Sequence, residues 1–69
     1  MKNISLKITG MDCASCAKLN QNAIMDVNGV KSAKVDITTN EAAVEFDENI
    51  TNLEEIIAAI EATGYGVKN

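Results

Sequence analysis

Apolar and polar residues alternate along Lys2–Gly10, with Ile4, Leu6 and Ile8 on one side and Ser5, Lys7 and Thr9 on the other. That period of two predicts a half-buried strand, which Gly10 ends. The spacing then turns helical and predicts a helix from about Ser15 to Val27, with Ala17, Ile24 and Val27 facing inward. Asn28-Gly29 stops it, because glycine adopts the left-handed cap conformation without a Cβ clash. Alternation returns at Ala33, Val35 and Ile37, and again at Ala42, Val44 and Phe46. Thr38-Thr39-Asn40 between these two strands is short enough for a hairpin. Thr51-Asn52-Leu53-Glu54 has the capping-box pattern, in which the Thr hydroxyl and the Glu carboxylate satisfy amide donors at a helix start. Leu53, Ile56, Ile57 and Ile60 follow as one apolar stripe at helical spacing. Gly64 caps that helix, and Tyr65–Val67 forms a short closing strand.

The order strand, helix, strand, strand, helix, strand is the split βαβ or ferredoxin-like arrangement. The expected fold is an α+β sandwich, with two helices on one face of a four-stranded antiparallel sheet. With 69 residues the chain makes one domain, residues 1–69, near the lower limit for a self-supporting core. Such a core leaves no room for a substrate cavity with a full catalytic shell, so a binding protein is expected and not an enzyme. Apolar residues make up 46% of the chain, yet only Phe46 and Tyr65 are aromatic, so the core falls to Ile, Val, Leu and Ala.

The net charge is −4 and the lysines are scattered, which argues against nucleic acid as a partner. No segment has the apolar length of a membrane span, and the N-terminal stretch lacks the apolar run of a signal peptide. A cytoplasmic location is therefore expected, and the sequons at Asn3 and Asn49 read as chance.

The chemistry lies in two cysteines, with no histidine in the chain. Cys13 and Cys16 are too few for a zinc finger or an iron–sulfur cluster held by one chain. In a reducing compartment they are read as a metal site or a redox pair. Cys13 falls in the loop and Cys16 in the first helical turn, so a short wrap of backbone brings both sulfurs to one point. The helix start supplies unpaired amides and partial positive charge, which favour thiolate over thiol. Two soft thiolates suit Cu(I), which accepts low coordination numbers. Ser15 has the chemistry of an N-cap, with Asp12 competing for the role. A thiol–disulfide oxidoreductase is the alternative from another class. A thioredoxin-like domain is longer, however, and sets a proline against its cysteines, whereas this chain contains none.

Gly10-Met11-Asp12-Cys13-Ala14-Ser15-Cys16-Ala17, in a chain that closes on Gly64-Tyr65-Gly66-Val67, resembles the heavy-metal-associated domain family. That family includes bacterial copper chaperones and the N-terminal metal-binding domains of metal-transporting P-type ATPases. The resemblance covers essentially the whole chain. Val35-Asp36-Ile37, Val44-Glu45-Phe46-Asp47 and Ala59-Ile60-Glu61 are similar to its copper-handling branch. It implies a solvent-accessible two-cysteine site, with Met11 packed beneath the metal loop and Tyr65 beside the ion. It also implies binding of Cu(I) and its transfer to or within a copper-transporting P-type ATPase. The partner is then such an ATPase or a homologous metal-binding domain. A monomer is expected, with a metal-bridged dimer as the alternative.

Two residues depart from the family pattern. Copper-type members commonly have Thr where this chain has Asp12. An Asp there resembles the zinc, cadmium and lead exporters, whose carboxylate is a third ligand, so Zn(II) or Cd(II) held by Cys13, Cys16 and Asp12 is the competing reading. Asn20 stands where the family usually has an apolar residue facing the sheet, so either the helix is rotated or Asn20 is buried with a hydrogen-bond partner. Around the site, Met11 is a thioether ligand or a loop-anchoring hydrophobe. Tyr65 shields the ion or is a plain boundary aromatic. Lys18 neutralises a bis-thiolate centre or is merely solvated. Glu54, Glu55 and Glu61 give the second helix an acidic face, either solvated or steering a basic partner.

Overall fold

The computed structural model describes residues 1–11 and 13–68. The elements run β1 (Lys2–Thr9), α1 (Ala14–Met25), β2 (Val30–Asp36), β3 (Glu41–Phe46), α2 (Leu53–Ala62) and β4 (Gly66–Lys68). The sheet order is β2-β3-β1-β4, and every neighbouring pair is antiparallel. This is the ferredoxin-like sandwich that the alternation of periods implies.

Register explains which side chains meet. Leu6 and Val35 flank Ala42, while Ile4 and Ala33 flank Val44. Period-two pleating sends this set to one face, where it meets the helices. The buried core consists of Leu6, Ile8, Met11, Ala42, Val44 and Phe46 from the sheet side, with Ile24, Ile56 and Ile60 from α1 and α2. At about 25 cal/mol per Å² of apolar area, each such isoleucine contributes roughly 1.5–3 kcal/mol.

Several boundaries differ from the sequence reading. Strand β2 stops at Asp36 because its carboxylate accepts the Thr38 amide at 2.8 Å, folding the chain into a turn. Ile37 therefore lies in the turn, 37% exposed, and not on the inner face. Helix α1 ends at Met25 with Asp26 as its C-cap, so Val27 lies beyond it, only half buried. Gly29 does have a positive φ of 99°, but not as the cap of α1. Its carbonyl accepts the Asp47 amide at 2.8 Å where the chain enters β2.

The start of α2 is shifted by one residue. Asn52 is the N-cap, and its Oδ1 accepts the Glu55 amide at 3.0 Å. Thr51 is instead 94% buried, given its 6% exposure, and its Oγ1 finds no partner among the described residues. Leu53, expected on the inner stripe, is 37% exposed, which leaves Ile56 and Ile60 as the buried pair. At the other end Gly64, φ 98°, follows the C-cap Thr63, and its amide donates to the Glu61 carbonyl at 3.0 Å. Strand β4 begins at Gly66, one residue past Tyr65.

Candidate metal site

The loop between β1 and α1 is held by backbone as much as by side chains. Gly10 has φ 91°, a conformation that favours glycine, and a Cβ there would stand 3.3 Å from Cδ1 of Tyr65. Met11 is 5% exposed and belongs to the core, pinning the loop from below. Asn40, itself at φ 58° in the β2–β3 turn, supports it from the side. With its amide nitrogen turned toward them, Asn40 donates to the carbonyls of Met11 (3.0 Å) and Ile37 (3.3 Å). In the sequence Asn40 reads only as a turn residue. A turn asparagine able to take positive φ is the one signal that marked it.

Cys13, not Ser15, caps α1. It is extended (φ −149°, ψ 160°), and its carbonyl accepts the Cys16 and Ala17 amides at 3.1 and 3.3 Å. Its sulfur also accepts the Cys16 amide at 3.4 Å. Ser15 comes two residues too late for the role, exposed within the helix. Because the cap is itself a cysteine, the two Sγ atoms converge to 2.6 Å at the positive end of α1. Cys13 is exposed, while Cys16 is half buried against the core. An ion bonded to both at about 2.3 Å, the length of a zinc–thiolate bond, would push the sulfurs apart, and Cys13 has the room to move.

Tyr65 reaches the site from the far end of the chain, and its hydroxyl donates to the Cys16 sulfur at 2.8 Å. Lys18 is exposed on α1. Asp12 lies outside the described residues. Among the described residues, no group of three or more His, Cys, Asp or Glu side chains gathers as a metal site.

Asn20 is buried with partners, the second of the two alternatives that its polarity posed. Its Nδ2 donates to the Cys16 carbonyl at 2.9 Å, and its Oδ1 accepts from the Thr63 hydroxyl at 3.1 Å. Thr63 carried no signal in the sequence, because 43 positions separate it from Asn20.

The model of the heavy-metal-associated domain matches residues 5–66. The chain is 40% identical over 68 residues to a copper chaperone CopZ of Staphylococcus haemolyticus, covering 99% of this chain and 100% of that protein. It is 48% identical over 61 residues to the copper-transporting ATPase HMA4 of Oryza sativa, which spans 88% of this chain but only 6% of the ATPase. Among solved structures, it is similar to a copper binding domain from HMA7, a P-type ATPase, with TM-score 0.96 and 40% identity. That match covers 99% of this chain and 92% of the other.

Proposed function

We propose that this chain, which belongs to the heavy-metal-associated domain family, binds Cu(I) between the thiolates of Cys13 and Cys16 and hands it to a copper-transporting P-type ATPase or a homologous domain. One observation carries the reading: two soft sulfurs meet at an exposed helix start, with Cys13 facing solvent. Two thiolates satisfy Cu(I), whereas Zn(II) prefers four ligands. The ion is the cargo. A partner's thiolate bonds to it as one of these two lets go, so Cu(I) moves by ligand exchange with no change of oxidation state.

In this reading the protein is a cytoplasmic carrier with no reaction to catalyse. A monomer is the working form, since a partner must reach the ion. The docking surface is Cys13, Ala14, Ser15 and the edge of Tyr65, since Met11 is buried and serves from beneath.

Competition between Cu(I) and Zn(II) for the reduced protein tests the choice of metal. Cu(I) is expected to win at equal free concentration, and Asp12→Thr to change Cu(I) affinity by no more than about tenfold. Displacement of Cu(I) by Zn(II) or Cd(II) would overturn the assignment in favour of an Asp12-assisted site.

A further inference from the structure

Asn20 has no solvent exposure, and a buried amide is costly unless its hydrogen bonds are made. A γ-branched apolar residue would fill much of the same space without that penalty. What the amide adds is direction. It ties the Cys16 carbonyl in the first turn of α1 to the Thr63 hydroxyl at the end of α2. That hydroxyl has one proton, shared between Asn20 Oδ1 at 3.1 Å and the Ile60 carbonyl at 2.6 Å.

Thr63 is two residues from Tyr65, and the intervening Gly64 is fixed at φ 98° by the helix cap. Where Thr63 sits therefore decides where Tyr65 emerges. The Tyr65 ring lies over Gly10, and its hydroxyl returns to the Cys16 sulfur. The contacts form a closed circuit from the Cys16 carbonyl through Asn20, Thr63, Gly64 and Tyr65 to the Cys16 sulfur. Apolar packing between the helices tolerates small slides, whereas hydrogen bonds to fixed partners do not.

We propose that Asn20 is a positioning residue for the metal site: bridging the Cys16 carbonyl and the Thr63 hydroxyl, it holds the Tyr65 hydroxyl on the Cys16 sulfur and slows the release of Cu(I). The inference rests on the reading of Cys13 and Cys16 as Cu(I) ligands. A bis-thiolate Cu(I) centre has a net negative charge, and a hydroxyl donating to one of its sulfurs stabilises that charge. Loosening Tyr65 forfeits that stabilisation and lets Cys16 turn away.

The test combines two measurements on Asn20→Leu, Thr63→Val, Thr63→Ser and Tyr65→Phe. One is the rate at which the Cu(I)-loaded protein yields its ion to the chelator bathocuproine disulfonate. The other, on metal-free protein, is the nuclear Overhauser contact between the ring of Tyr65, the chain's one tyrosine, and the Cys16 β protons. Asn20→Leu and Thr63→Val should each release Cu(I) about three- to tenfold faster, the range of one ordinary hydrogen bond. Both should also weaken the Tyr65 contact, while Thr63→Ser behaves as wild type. In a Tyr65→Phe background neither substitution should add anything. The thermal midpoint of Asn20→Leu should stay level or rise, because Thr63 keeps the Ile60 carbonyl and the Cys16 carbonyl keeps its helical amide.

Wild-type release with an unchanged Tyr65 contact in Asn20→Leu would overturn the proposal. So would an effect that persists in full without the Tyr65 hydroxyl. If the wild type binds no Cu(I), the proposed function fails, and the Tyr65 contact in metal-free protein still decides whether Asn20 positions it.

Discussion

The hydroxyl of Tyr65 donates to the sulfur of Cys16 across 2.8 Å, although 49 positions separate the two residues. The pair of sulfurs is thus asymmetric. Cys16 is backed by a phenol and half buried, while Cys13 stands in solvent and doubles as the cap of α1.

That asymmetry separates the two serine variants. Neither should retain more than a small fraction of Cu(I) affinity, because a hydroxyl does not ionise at neutral pH and is a hard donor. Cys13→Ser should fold with undiminished stability, since serine is itself a favoured N-cap, whereas Cys13→Ala should lose about 1 kcal/mol. Chelator competition and urea denaturation check the two halves. Wild-type affinity in Cys13→Ser would refute the ligand assignment.

Spreading the two sulfurs around an ion should change the loop and little else. Amide hydrogen exchange is expected to slow across Cys13–Ala17 when Cu(I) is added, with Leu53–Ala62 hardly affected. Full protection of the loop before metal is added would contradict a site that opens for its cargo.

At the start of α2, the displaced cap makes opposite predictions for adjacent residues. Asn52→Ala should destabilise by about 1 kcal/mol, since it removes the acceptor of the Glu55 amide. Thr51→Val should be neutral or stabilising by about 1 kcal/mol, because it deletes a buried hydroxyl that has no partner among the described residues. Urea denaturation of both variants decides. Were Thr51 the cap, the order would reverse.

Two glycines of nearly equal φ should respond unequally to alanine. At Gly64 a Cβ meets nothing within 4 Å, so Gly64→Ala should cost only the backbone strain, about 1 kcal/mol. At Gly29 a Cβ would lie 2.8 Å from Cγ2 and 2.9 Å from Cβ of Ile50, so that strain is joined by a clash. Gly29→Ala should lose at least twice as much by thermal denaturation, and a loss equal to that of Gly64→Ala would show that the Ile50 loop yields to the added methyl.

Much of the architecture was legible in the order of residues, because strand and helix are written locally. Leu6 and Ile8, the Ala42–Val44–Phe46 set, and the Ile56–Ile60 pair were all readable as inward positions from periods of 2 and 3.6. The meeting of Cys13 and Cys16 was readable too, since one turn of backbone brings the first and fourth residues of the motif together. Ends of elements were less legible. Thr51 and Asn52 are both good caps, and the outcome turns on which backbone unit is extended where the chain leaves β3. Ser15 lost to Cys13 for the same reason.

The family resemblance already implied Met11 beneath the loop and Tyr65 beside the site, but only the tertiary structure decided which atoms bond around the cysteines. Asn20 finds Thr63, Asn40 faces Met11 and Tyr65 reaches Cys16 because burial of the apolar set brings the β2–β3 turn and the end of α2 to the mouth of α1. A hydrogen bond acts over about 3 Å and depends on angle, so it carries no periodic trace along the chain. Hydrophobic patterning does leave such a trace, because burial asks only which face of an element a residue lies on.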